Sequence, residues 1–351
     1  MNRKKINRIV ITNGAFTSLV AVSLMNQLEN SEKNIYNNYF LAYFKGISFE
    51  NKNKHFIELG RVISIAEVFD YENFNYKKEE IDFDEVFIPL NSNVKKWVKM
   101  FKKINNKIRI IFYEEGLLSY VYPVFNKKIL NEGELFFLSY ASVIIKELEK
   151  FHFNIKYKII ENMFFLEVMN DYKIKNNLAI NLNEYKSDCK KNLIFINQYY
   201  FDNNSKRLQN KIKNIKEIID YYKKNDYKII FKNHPKMKSS LYNSIFQYDD
   251  SVIKESFYPI ELFLLNHSVD NLAMVSVYST SSFVAKYIFG MEVKTDYKMI
   301  YNRLSFFSIY PTFSGLIFSF IFKDYLGKKL KFGFKIFYLY FIFLIYMLEL
   351  M

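Results

Sequence analysis

The sequence predicts an α/β protein made of two Rossmann-like halves, and three observations carry that expectation. Short β-favouring apolar runs alternate with amphipathic, lysine-rich stretches of helical period along most of the chain. One such run, Tyr227 to Phe231, stops abruptly at Lys232-Asn233-His234-Pro235-Lys236, because proline cannot join a ladder and holds the residue before it extended. That sets an imidazole at the carboxyl end of a parallel strand, where open α/β sheets bind their ligands. Finally, the polar stretch 170–191, rich in Asn and Lys, separates two alternations and reads as a hinge.

Composition narrows the class. A length of 351 residues suits two domains with a core each, and a hydrophobic share of 50% argues against disorder. The single cysteine, Cys189, excludes a disulfide framework and fits a reducing compartment. The start is basic, but its apolar run is broken by Thr12-Asn13-Gly14, so a signal peptide is not expected and the cytoplasm is. A formal net charge of +14 calls for an anionic partner: nucleic acid, an acidic membrane surface or an acidic substrate. Nucleic acid is disfavoured, since no helix-turn-helix, zinc-ligand spacing or aromatic RNP pattern is present. Four scattered histidines (His55, His152, His234, His267) make no metal-ligand spacing, so no metal is expected.

In chain order, Ile9 to Thr12 reads as a strand, Asn13-Gly14 as a tight turn and Thr17 to Gln27 as a helix with an apolar face. This is a Rossmann-like opening without a GxGxxG. Tyr39 to Phe44 is a second strand, Val62 to Val68 and Val86 to Pro89 are further apolar runs, and Trp97 to Ile104 is an amphipathic helix. Lys107 to Tyr113 is a strong strand closed by Glu114-Glu115-Gly116. Two adjacent carboxylates at a strand end raise one another's pKa, which suits a general base; an ordinary acidic helix start would look the same. Phe136 to Phe151 has a helical pattern.

Beyond the hinge, Asn192 to Gln198 is a strand and Lys206 to Lys224 a helix leading to His234. From Ser205 to Lys238 there are 11 Lys or Arg against 3 Asp or Glu, a count that a solvated basic face would also give. Glu261 follows Pro259 at an expected helix start. Asn271 to Tyr278 is a strand running into Ser279-Thr280-Ser281-Ser282 and an apolar helix closed by Gly290. Hydroxyls and free amides at a helix start after a strand make an anion site, although ordinary N-capping needs only one of the four. The tail differs: Leu304 to Phe322 and Phe332 to Met351 are apolar and aromatic, and the charge-free run Ile336 to Leu348 is too short to span a bilayer. Preceded by Lys323, Lys328, Lys329, Lys331 and Lys335, it reads as an interfacial helix, with a buried closing helix or a frameshifted end as alternatives.

Glu114-Glu115-Gly116, His234-Pro235 and Ser279 to Ser282 stand in one order, each at a strand end. This set resembles the bacterial sialyltransferases of GT-B fold, which carry an acidic-acidic-glycine, a His-Pro and a Ser-Ser/Thr motif. The capsular α-2,8-polysialyltransferase and lipooligosaccharide sialyltransferase families look most similar, over roughly residues 6 to 300. The resemblance implies two Rossmann-like domains whose parallel sheets face across a cleft. Residues 1–175 would be the acceptor domain, 176–302 the CMP-sugar domain and 303–351 the apolar tail. It implies inverting transfer of sialic acid from CMP-sialic acid to an anionic or galactose-terminated glycan, without metal or cofactor; the tail, on which the resemblance is silent, is what suggests an enzyme peripheral to the inner membrane. Glu114 would be the general base, Glu115 its support and His234 the group at the donor phosphate. Pro235 and Lys232 would flank that histidine, and the cluster Ser279, Thr280, Ser281, Ser282 would bind the same phosphate. Either Ser279-Thr280 or Ser281-Ser282 fits the last motif, and Glu261 would hold the ribose hydroxyls. Two other readings remain: another GT-B transferase of the CDP-alditol phosphotransferase type, and a non-catalytic basic membrane-surface protein.

Overall fold

The computed structural model describes residues 5–32, 34–44, 47–74, 81–91, 93–116, 119–120, 127–149, 155–178, 191–197, 205–234, 251–252, 257–265, 271–276 and 279–294. The expected tail and Pro235 lie outside them.

The first half alternates β1 (Lys5–Thr12), α1 (Ala15–Ser31), β2 (Ile35–Ala42), α2 (Phe49–Leu59), β3 (Glu67–Asp70), β4 (Glu85–Pro89), α3 (Val94–Ile104), β5 (Arg109–Tyr113), the helical turn α4 (Lys127–Leu130), β6 (Glu134–Leu138), α5 (Ala141–Glu149), β7 (Lys158–Ile160) and α6 (Asn162–Lys175). The second half adds β8 (Lys191–Ile196), α7 (Ser205–Lys224), β9 (Tyr227–Lys232), β10 (Ser251–Val252), α8 (Ile260–Leu264), β11 (Leu272–Ser276), α9 (Thr280–Tyr287) and β12 (Glu292–Lys294).

Two parallel sheets result, in the orders β3-β2-β1-β4-β5-β6-β7 and β10-β9-β8-β11-β12. Each reverses its winding once, between β1 and β4 and between β8 and β11. Those switch points open crevices at the carboxyl ends of the strands. Ile9, Val10 and Ile11 are all buried, as a strand covered on both faces requires, so the apolar runs are continuous and not alternating. In the second sheet, Ile194, Ile230 and Met274 join the core shared with the first half. Their strand neighbours Leu193, Phe195, Ile229, Phe231 and Val275 face a smaller core closed by Ile215, Ile218 and Tyr222 of α7. The shared core makes the two halves one packed body at this seam.

The expected helix Phe136 to Phe151 is corrected. Its first residues complete β6, and the helix α5 begins only at Ala141. Leu135 to Leu138 are buried, and a strand buried on both faces has no period to distinguish it from a buried helix. Likewise α6 continues through residues 170–175, where the composition predicts a hinge, because Tyr172 is fully buried while its neighbours in this stretch are not.

Candidate active site

The first half presents its acidic motif at the end of β5. Burial leaves Glu114 with 0% exposure. Its Oε2 accepts from the Tyr120 hydroxyl at 2.7 Å and the Leu138 amide at 3.0 Å, and its Oε1 accepts from the Tyr140 hydroxyl. Burial pushes its pKa up to about 7 against the pull of those three donors. Both tyrosines are themselves pushed up, first by burial and then by the carboxylate, so they stay protonated donors. Glu115 is only partly buried and accepts from the Asn13 side chain at the β1 switch point. Asn13 is fixed in turn by Thr17, which donates to its Oδ1 at 2.9 Å. Ser119 braces the loop, accepting from the Glu115 amide at 2.8 Å and donating to the Leu90 carbonyl at 3.0 Å.

The second half presents a basic strand end opposite a hydroxyl-bearing helix start. Lys232 closes β9, is 6% exposed, and its ammonium donates to the Asn233 carbonyl at 3.3 Å. Asn197, at the end of β8, ties the two strand ends together by donating to Asn233 at 3.3 Å. His234 follows, partly buried. Glu261, in the first turn of α8, is 1% exposed. Burial raises its pKa, while a hydrogen bond from Ser281 and the charge of Lys232 pull it down. One of its carboxyl oxygens, Oε1, has no hydrogen-bond partner among the described residues.

The hydroxyl cluster divides by direction. Ser279 caps α9, accepting from the Ser281 amide at 3.3 Å. Ser282 turns inward and shares a 2.6 Å hydrogen bond with the buried Ser276. Ser279, Thr280 and Ser281 are partly exposed and form the accessible face of the cluster.

The two halves meet here. A Cβ built on Gly116, whose φ is +158°, would lie 2.7 Å from Thr280 Oγ1. Glycine is therefore required where the acidic loop touches the α9 start. Tyr140 stacks on Phe283 of α9, with centroids 5.8 Å apart and planes 22° from parallel. Glu114, Glu115, Lys232, Glu261 and the serine cluster thus lie on facing strand and helix ends along one seam. Asn13, Ser119, Tyr120 and Tyr140 escaped the sequence reading. Asn13 carried the one available signal, an Asn-Gly turn after the first strand. Among the described residues no group of three or more His, Cys, Asp or Glu could hold a metal ion, and no helix is long and apolar enough to cross a membrane.

Residues 17–298 match the family model described as alpha-2,8-polysialyltransferase. No curated protein matches the chain significantly. Among solved structures it is similar to an α/β-galactoside α-2,3-sialyltransferase from Photobacterium phosphoreum, at 15% identity and TM-score 0.52, over 91% of this chain and 96% of that one. It is also similar to a 2,6-sialyltransferase from Photobacterium sp. JT-ISH-224, solved with CMP and lactose, at 13% identity and TM-score 0.50, over 83% and 71% of the two chains. A Methanocaldococcus jannaschii UDP-GlcNAc 2-epimerase, in complex with UDP-GlcNAc and UDP, shares the architecture at 15% identity and TM-score 0.52, over 83% of each chain. The architecture is GT-B.

Proposed function

The chain belongs to the alpha-2,8-polysialyltransferase family, a sialyltransferase of GT-B fold, and we propose that it transfers sialic acid from CMP-sialic acid to a glycan acceptor with inversion. The observation that carries this reading is the contact of Gly116 with Thr280, which sets the acidic loop directly against the hydroxyl-bearing start of α9. Sialyl transfer needs a base on one side of the anomeric carbon and charge stabilisation at the departing phosphate on the other.

Glu114 is the base in this reading. A carboxylate titrating near 7 is matched to deprotonating an acceptor hydroxyl at neutral pH. His234, Lys232 and the hydroxyls of Ser279, Thr280 and Ser281 stabilise the CMP phosphate, with the α9 amides behind them. Glu261 Oε1 accepts from a ribose hydroxyl, which supplies the hydrogen bond that this buried oxygen needs. Ser282, committed to Ser276, supports α9 without touching the donor. The acceptor is an anionic or galactose-terminated glycan, the former in keeping with the +14 charge, and no metal takes part, so chelator leaves transfer intact.

A second assignment has one observation in its favour: Glu115 is partly exposed whereas Glu114 is not. In that version Glu115 is the base and Glu114 its buried brace. Both versions are tested by incubating enzyme with CMP-sialic acid and sialylated or galactose-terminated acceptors and following CMP release. Glu114→Gln should cut transfer by about 100-fold or more, the usual worth of a general base, while CMP still binds. Normal turnover in Glu114→Gln with a dead Glu115→Gln exchanges the roles. Acceptor-dependent product from a CDP-alditol, and none from CMP-sialic acid, overturns the sialyl reading.

A further inference from the structure

We propose that Tyr140 is a positioning residue through which the C-terminal half sets the Glu114 carboxyl group; the proposal rests on Glu114 acting as the base. Three groups hold this carboxyl, and they divide unequally. Tyr120 and the Leu138 amide share Oε2, and both belong to the first half. Tyr140 is the donor to Oε1 among the described residues. It sits between β6 and α5, where its ring reaches the second half.

That ring is gripped from across the seam. Phe283 lies nearly parallel to it and is stacked in turn on Tyr287, 6.4 Å further along α9. Phe283 follows Ser282 directly, so it rides on the same helix whose first turn carries the hydroxyl cluster. Glu261 of α8 also bears on Tyr140 electrostatically, and Glu261 itself feels Ser281 and Lys232. A phosphate drawn to the α9 start, or a ribose drawn to Glu261, therefore acts on the two groups that locate Tyr140. Its hydroxyl transmits that placement to Oε1. The tyrosine touches no reacting atom; it orients the acid and favours its ionised form, because a donor to a carboxylate stabilises the charge.

The test removes the hydroxyl and keeps the ring. In Tyr140→Phe the acid limb of the kcat/KM profile, followed by CMP release from CMP-sialic acid, should move up by about one pH unit, the worth of one hydrogen bond to an ionised carboxylate. Activity lost at neutral pH should return on the alkaline side. Phe283→Ala keeps the hydroxyl but frees the ring, and should move the limb in the same direction by less. A limb that stays in place in Tyr140→Phe, whether activity is unchanged or uniformly reduced, overturns the proposal. The carboxylate infrared band of Glu114, isolated by difference against Glu114→Gln, gives a readout that needs no turnover. Its midpoint should rise in Tyr140→Phe, and an unmoved midpoint refutes the proposal even if the wild-type enzyme proves to use another donor. Wild-type protein idle with CMP-sialic acid but showing the infrared shift would sink the sialyl reading alone.

Discussion

Glu114 makes the stability of the protein depend on pH in a direction opposite to that of a salt-bridged acid. Its pKa rises from an ordinary 4.5 to about 7 on folding, so between those values the folded state binds the extra proton. Stability contributed by this group is full below 4.5 and falls as pH rises to about 7. At about 1.4 kcal/mol per unit, the loss is about 3 kcal/mol. Glu114→Gln removes it, so the stability of the variant relative to wild type should improve by that amount between pH 4.5 and 8, measured by urea unfolding. A constant difference across that range would show that the carboxyl is not the titrating group. Gly116 supports a second prediction at this scale. Gly116→Ala places a methyl against Thr280 and should reduce both donor affinity and stability, the latter by about 1–3 kcal/mol. Thr280→Ala in the same chain relieves the steric part and should restore some of each. Additive losses in the double variant would mean that the two residues do not meet.

Among the elements, α8 is held by a device that no motif announces. Tyr258, immediately ahead of Pro259, donates to Glu58 of α2, two hundred residues earlier in the chain. Glu58 also accepts from Tyr172 of α6 at 2.8 Å, and Tyr172 contacts the buried His55 at 3.1 Å. Burial lowers the His55 pKa to about 3, so this histidine is neutral and structural. Tyr258→Phe should cost about 1–2 kcal/mol and weaken donor binding through displacement of Glu261, with kcat at saturating donor nearly kept. An unchanged KM for donor would separate the latch from the site. The strands ending at Tyr113 and Lys232 were legible because charge or proline stops each apolar run sharply. The helix start at Thr280 was legible because four hydroxyls follow a strand. The β6–α5 boundary was not, since Leu135 to Leu138 are buried without alternation. The latch is invisible in sequence for a simpler reason: its partners are distant in the chain, and neither a tyrosine nor a glutamate reveals its partner locally.

For the whole molecule, the open issue is where an enzyme carrying +14 charges meets its acceptor. We propose that the apolar tail, residues 303–351, by its composition holds it at an anionic membrane surface. Lys323, Lys328, Lys329, Lys331 and Lys335 precede a run of Ile, Phe, Tyr and Leu. Each basic residue near an anionic leaflet is worth about 1 kcal/mol, and aromatic side chains add to that at the interface. The site residues all fall before residue 283. Truncation after Leu326 should leave a folded enzyme that sialylates a soluble acceptor but no longer sediments with anionic liposomes. Neutral liposomes should bind neither form well. If the shortened chain unfolds, or loses activity with soluble acceptor, the tail closes the fold in place of anchoring it. The basic surface of the remaining chain would then have to serve the acceptor alone.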